Sequence, residues 1–169
     1  GIAEEICYDG TTDYSERRWA SENGLYAREF RVDWPSAQAL LDAGIPFALA
    51  TVNTASGHLQ AVIGYDLLRG SLLIRDPFQP THAEFAAAAL FESHQASGPR
   101  GMVIVPLAER ARLDGIHLPE ADLWDHYHAL TAALARHARD DALHALDQLR
   151  GLDATHRLSL MGARAMAMY

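Results

Sequence analysis

Two side chains in the middle of the chain are placed to share a proton. His58 opens an apolar stretch, His58–Tyr65, after the small and polar run Asn53–Gly57. Asp76 closes a second stretch, Ser71–Arg75, immediately before Pro77. The polar turn Asp66–Gly70 separates the two. Strands joined by such a turn pair antiparallel, which sets the start of one beside the end of the other. His58 and Asp76 are therefore predicted neighbours, with an imidazole nitrogen about 2.7–3.2 Å from a carboxylate oxygen. A carboxylate there fixes the imidazole tautomer and stabilises the imidazolium. The chemistry this suits is a general base, His58, held by an orienting acid, Asp76, in the service of a nucleophile.

The chain offers one thiol, Cys7. It follows the helical run Ile2–Ile6 and leads into the turn Tyr8-Asp9-Gly10. Thiolates are stabilised where a helix begins, beside converging N–H groups. Cys7 has the opposite placement and reads as a structural thiol. A single cysteine also excludes an internal disulfide and a Cys-rich zinc site. His126 and His128 diverge by about 200° around a helix and cannot share a metal. His137, Asp141 and His144 would share a helix face, but the helical pattern breaks near Arg139-Asp140, and a solvated face is the simpler reading. No metal and no cofactor is expected.

The elements that position these residues alternate at first. Asp13 can cap a helix over 14–22, stopped by Asn23-Gly24. Leu25–Val32 alternates like a strand. Asp33 or Trp34 starts a helix with Pro35 in its first turn. Pro46–Val52 is a short apolar strand, His58–Tyr65 and Ser71–Arg75 form the hairpin, and Asp76-Pro77 ends it. Thr81–Phe91, with five alanines, reads as a helix, and Met102–Val105 as a last strand. Beyond Glu120 the pattern is helical, near 121–138, 140–149 and 154–169. The expected fold is α+β over 1–115, with Gly115–Pro119 as the boundary to a helical segment over 120–169.

Composition narrows the function. The 169 residues carry 22 acids against 14 bases, a formal charge of −8, which argues against a nucleic-acid partner. All the bases are arginine; with no lysine there is no P-loop and no Schiff-base chemistry. No apolar run approaches the roughly 20 residues a membrane span needs. No signal peptide is visible, and a reducing cytoplasm suits the lone cysteine. Both ends fall inside helical patterns, so the chain is expected to be a piece of a longer protein.

His58-Leu59-Gln60-Ala61-Val62-Ile63-Gly64-Tyr65-Asp66, followed by Leu72-Leu73-Ile74-Arg75-Asp76-Pro77, resembles the peptidase C39-like family of papain-like fold. That family has a His-x-x-x-Val-x-Gly-Tyr/Phe-Asp strand, a short turn and a strand ending in Asp-Pro. Gly44-Ile45-Pro46-Phe47 is also similar to the family's preceding strand. The resemblance covers about residues 1–106, and its specific part is 44–77. It implies that His58 is the base and Asp76 its orienting acid. The family's nucleophile is a Cys that opens a helix, with an oxyanion-hole glutamine a few residues earlier. Cys7 departs from this, and the first glutamine is Gln38. On this resemblance Ile2–Asp9 matches the helix after the nucleophile helix, which puts the nucleophile upstream of Gly1.

In the helical segment a shift of 34 lays Trp124 on Leu158, Tyr127 on Met161, His128 on Gly162 and Thr131 on Ala165, which resembles a tetratricopeptide unit. Asp140 and His144 fall where that family has small or apolar residues. The 3–4 residue spacing predicts three antiparallel helices that bury Trp124, Tyr127, Leu130, Leu134, Leu143, Leu146, Leu158 and Met161. The favoured function is a non-catalytic interaction or scaffold module for a protein or peptide partner, able to form a homodimer through an exposed stripe on the last helix. The alternative is a Cys-His-Asp peptidase or acyltransferase.

Overall fold

The computed structural model describes residues 13–52, 57–95 and 98–168. The helical run expected at Ile2–Ile6, Cys7 itself and the loop Asn53–Ser56 lie outside them. The elements are α1 (Asp13–Glu22), β1 (Leu25–Arg31), α2 (Trp34–Asp42), β2 (Phe47–Val52), β3 (Gly57–Asp66), β4 (Ser71–Arg75), β5 (His82–Ala86), α3 (Ala87–Ser93), β6 (Arg100–Pro106), a 3₁₀ segment (Leu107–Leu113), α4 (Ala121–Ala135), α5 (Arg139–Leu152) and α6 (Arg157–Met168). They fall into two compact units. One is residues 20–119; the other is residues 120–169 with those up to Trp19.

The first unit is built on one six-stranded sheet in the order β1-β6-β2-β3-β4-β5. Every ladder is antiparallel. The register puts Phe30, Val103, Phe47, Leu49, Val62 and Ile74 on one face, where all are buried. A helix must cover such a face, and α2 supplies the buried Ala37 and Leu40. Its start is fixed by a capping box. The Ser36 amide donates to Asp33 Oδ1 at 2.9 Å, and the Asp33 amide donates to Ser36 Oγ at 3.1 Å. Trp34 on α2 meets Tyr65 on β3 edge-to-face at 5.7 Å, and the Tyr65 hydroxyl donates to Asp42 at 2.7 Å. Gly101 lies opposite Phe30; a Cβ there would come within 2.5 Å of Val32 and 2.9 Å of Phe30. Close packing at this point admits only glycine.

The helix expected over Thr81–Phe91 is instead β5 followed by the shorter α3. Alanine favours helix in isolation, but His82–Ala86 pairs with β4 along its whole length and extends the sheet. The free backbone groups of β4 are thereby satisfied, a tertiary gain that outweighs local propensity.

In the second unit, Leu130, Ala133 and Leu134 pack with Ala142, Ala145 and Leu146, while Trp124 and Tyr127 pack with Leu149 and Leu158. The start of α4 thus meets the end of α5, so the two are antiparallel. α6 runs back alongside α4, with Leu158 at Trp124 and Met166 at the other end. α4 stops at Ala135, short of the expected 138, because His137 adopts φ +57°. Of the residues expected inside, Leu143 is 40% exposed, since α5 turns the row Ala142, Ala145, Leu146 and Leu149 inward. α6 begins at Arg157, three residues later than expected. The reason is Asp153, a buried carboxylate that accepts from the Ser159 amide and the Thr155 hydroxyl, both at 2.8 Å, and holds 153–156 as a turn.

Burial alone would raise the Asp153 carboxyl, but the Ser159 amide and the Thr155 and Ser159 hydroxyls outweigh it and hold it below the usual carboxylate range. A group whose folded value is depressed contributes stability above its unfolded value and loses it as the pH falls through the folded one. Asp153→Ala is expected to cost about 1–3 kcal/mol at pH 7, because the Ser159 amide stays buried without its acceptor. The difference from wild type should shrink as the pH drops below about 4. Thermal unfolding of both proteins across that range is the check; a gap that stays constant would refute the assignment.

Candidate active site

β3 carries His58 and, two residues on and therefore on the same face, Gln60. Asp76 follows the last residue of β4. The hairpin ladder ends with Ala61 opposite Arg75, so the next step brings Asp76 to Gln60 and His58. His58 Nε2 lies 2.9 Å from Asp76 Oδ2, within the distance expected from the hairpin register. Gln60 Nε2 donates to the same oxygen at 2.7 Å. The other oxygen, Oδ1, accepts the Phe78 amide at 2.8 Å, the local turn that Asp makes with the N–H two residues on. The Phe78 ring stacks on the imidazole, with centroids 5.4 Å apart and planes inclined by 23°. The start of β3 is tied to β2 by the Thr51 hydroxyl, which donates to the His58 carbonyl at 3.3 Å.

This arrangement keeps Asp76 charged. The Phe78 amide and then the Gln60 amide hold its carboxyl below the usual range; partial burial opposes them, and His58 adds to the lowering. A carboxylate accepting at Nε2 selects the Nε2–H tautomer of the neutral ring. The Nδ1 lone pair is then left to take a proton, and no group among the described residues bonds to it.

Two participants escaped the sequence reading. Gln60 was accessible through period two, since it shares a face with His58. Phe78 was accessible through the Asp-Pro turn, whose geometry aims that amide at Asp76. On the opposite face, where Leu59 and Ala61 point, an open apolar groove of about 430 Å³ is lined by these two with Pro46, Pro77, Ile104 and Arg75. Among the described residues no group of three or more His, Cys, Asp and Glu could hold a metal ion. Asp141 lies 3.9 Å from Arg136 instead. No helix among the described residues is long and apolar enough to cross a membrane.

A six-stranded antiparallel sheet with helices, C-terminal ones among them, is consistent with a C39-like α+β fold. The Peptidase_C39 like family matches residues 2–97, more than half of the sequence, and the chain belongs to that family. Among solved structures, the peptidase domain of Streptococcus ComA, a bi-functional ABC transporter involved in a quorum sensing pathway, is similar with a TM-score of 0.45 and 18% identity, over 63% of this chain and 78% of that one. No curated protein matches.

Proposed function

We propose that this domain carries the proton-transfer half of a cysteine-peptidase-type acyl-transfer site, with His58 as general base and Asp76 as its orienting acid. The observation that carries the reading is the 2.9 Å contact from His58 Nε2 to an Asp76 carboxylate fixed on both oxygens. In such a reaction a thiol gives its proton to Nδ1 and attacks the acyl carbon. The imidazolium then returns the proton to the leaving amine, and Asp76 stabilises the charge on the ring between the two steps. The sequence context of Cys7, after a run that reads as helical and before a turn, argues against it as that thiol.

A second reading is a recognition module with tetratricopeptide-like helices. It is favoured by the outward apolar side chains of Leu152, Leu160 and Met168, 54%, 59% and 82% exposed, which suit a protein partner or a second copy. Peptide hydrolysis, measured on this chain together with any sequence that flanks it in its gene, separates the two. Under the first reading, His58→Ala abolishes turnover and Cys7→Ser leaves it unchanged. Absence of hydrolysis, or turnover that survives His58→Ala, would leave the recognition role.

A further inference from the structure

We propose that Gln60 is a positioning residue that sets the Asp76 carboxylate, and through it the tautomer of His58. The inference rests on the reading of His58 as a base. It starts from a gap in the backbone. The β3–β4 ladder ends at Ala61 and Arg75, one step before Asp76, and Pro77 follows with no N–H to give. Main-chain pairing therefore stops short of the acid. The Gln60 side chain bridges that gap, running from β3, the strand that also carries His58, to Asp76 Oδ2 at 2.7 Å. Base and acid are thereby referenced to one strand.

The position itself argues for this use. Gln60 pairs with Leu49, which is fully buried, and shares its face with buried Val62. The alternation calls for an apolar residue there; an amide in its place needs a partner, and Asp76 is the one it has. The bond also constrains the acid. Oδ2 accepts from both His58 and Gln60, and Oδ1 accepts from the Phe78 amide, so the carboxylate cannot rotate without breaking a bond. If the imidazole swings away, two bonds still hold Asp76 in the orientation the ring must return to.

The test is imidazole nitrogen NMR on the 169-residue chain, at a pH where His58 is neutral, with Gln60→Met, which keeps the length and removes the donor. Wild type is expected to show His58 as a single Nε2–H tautomer, and Asp76→Asn to abolish that preference. Gln60→Met should shift a measurable share of the ring to the Nδ1–H form. Where peptide turnover is measured, with any flanking sequence included, it should lower kcat on the order of tenfold to a hundredfold with KM unchanged. Gln60→Asn, which retracts the amide by one methylene, should act in the same direction and serves if the Met variant does not fold. A wild-type tautomer preference untouched by either variant would overturn the role of Gln60 alone. A wild-type ring with no preference, indifferent to Asp76→Asn, would overturn the base assignment beneath it.

Discussion

Trp124→Ala is expected to cost the helical unit about 3–5 kcal/mol. Trp124 is 1% exposed and packs with Tyr127, Leu149 and Leu158. Tyr127 meets it edge-to-face at 6.0 Å, and the Arg157 guanidinium lies over the indole at 5.4 Å. One side chain thus joins α4, α5 and α6, and its loss opens a cavity that these neighbours, held by their own packing, do not fill. Whole domains are stable by only about 5–15 kcal/mol, so a unit of this size has little margin. Leu152→Ala, on a side chain 54% exposed, is the internal control and should stay within about 0.5 kcal/mol of wild type. Thermal unfolding followed by circular dichroism reads both. Equal melting temperatures for the two variants would remove Trp124 from the core.

The same helices show why some of the fold was legible in the sequence. Spacing of three and four residues marked Trp124, Tyr127, Leu130, Leu134, Leu146 and Leu158, and burial requires that periodicity. Leu143 was misread because leucine on a helix is ambiguous until a neighbour's face is known; the smaller Ala142 took the inward place. The hairpin was legible because turn chemistry and alternation agree, and so was the meeting of His58 and Asp76. β5 was hidden because its reason lies in β4, distant from the alanines that suggested helix. The late start of α6 was hidden for a related cause: no spacing marks Asp153 as buried, yet it is, and it caps the Ser159 amide. Gln60 shows the limit most directly. Its face could be read from parity, whereas its partner depends on where the ladder ends.

Iodoacetamide labelling of Cys7 is expected to rise about tenfold per pH unit between pH 6 and 8, about a hundredfold overall, as for an ordinary thiol that ionises near pH 8.5. In the sequence Cys7 follows a run that reads as helical, Ile2–Ile6, and precedes Tyr8-Asp9-Gly10, a placement expected to offer a thiolate no helix-start amides. An imidazole and a carboxylate without a poised thiolate form no acyl intermediate, and the 169-residue chain is accordingly expected not to hydrolyse peptides. A thiolate paired with imidazolium behaves differently: it labels rapidly and almost independently of pH above the point where the pair forms. His58→Ala would abolish that behaviour and restore the steep profile. The measurement therefore compares wild type with His58→Ala from pH 5 to 9. Coincident, steep curves are the expected result. A flat wild-type curve that steepens in the variant would make Cys7 the nucleophile of His58, and would move the proposed acyl-transfer site from a base awaiting its thiol to a complete one within this chain.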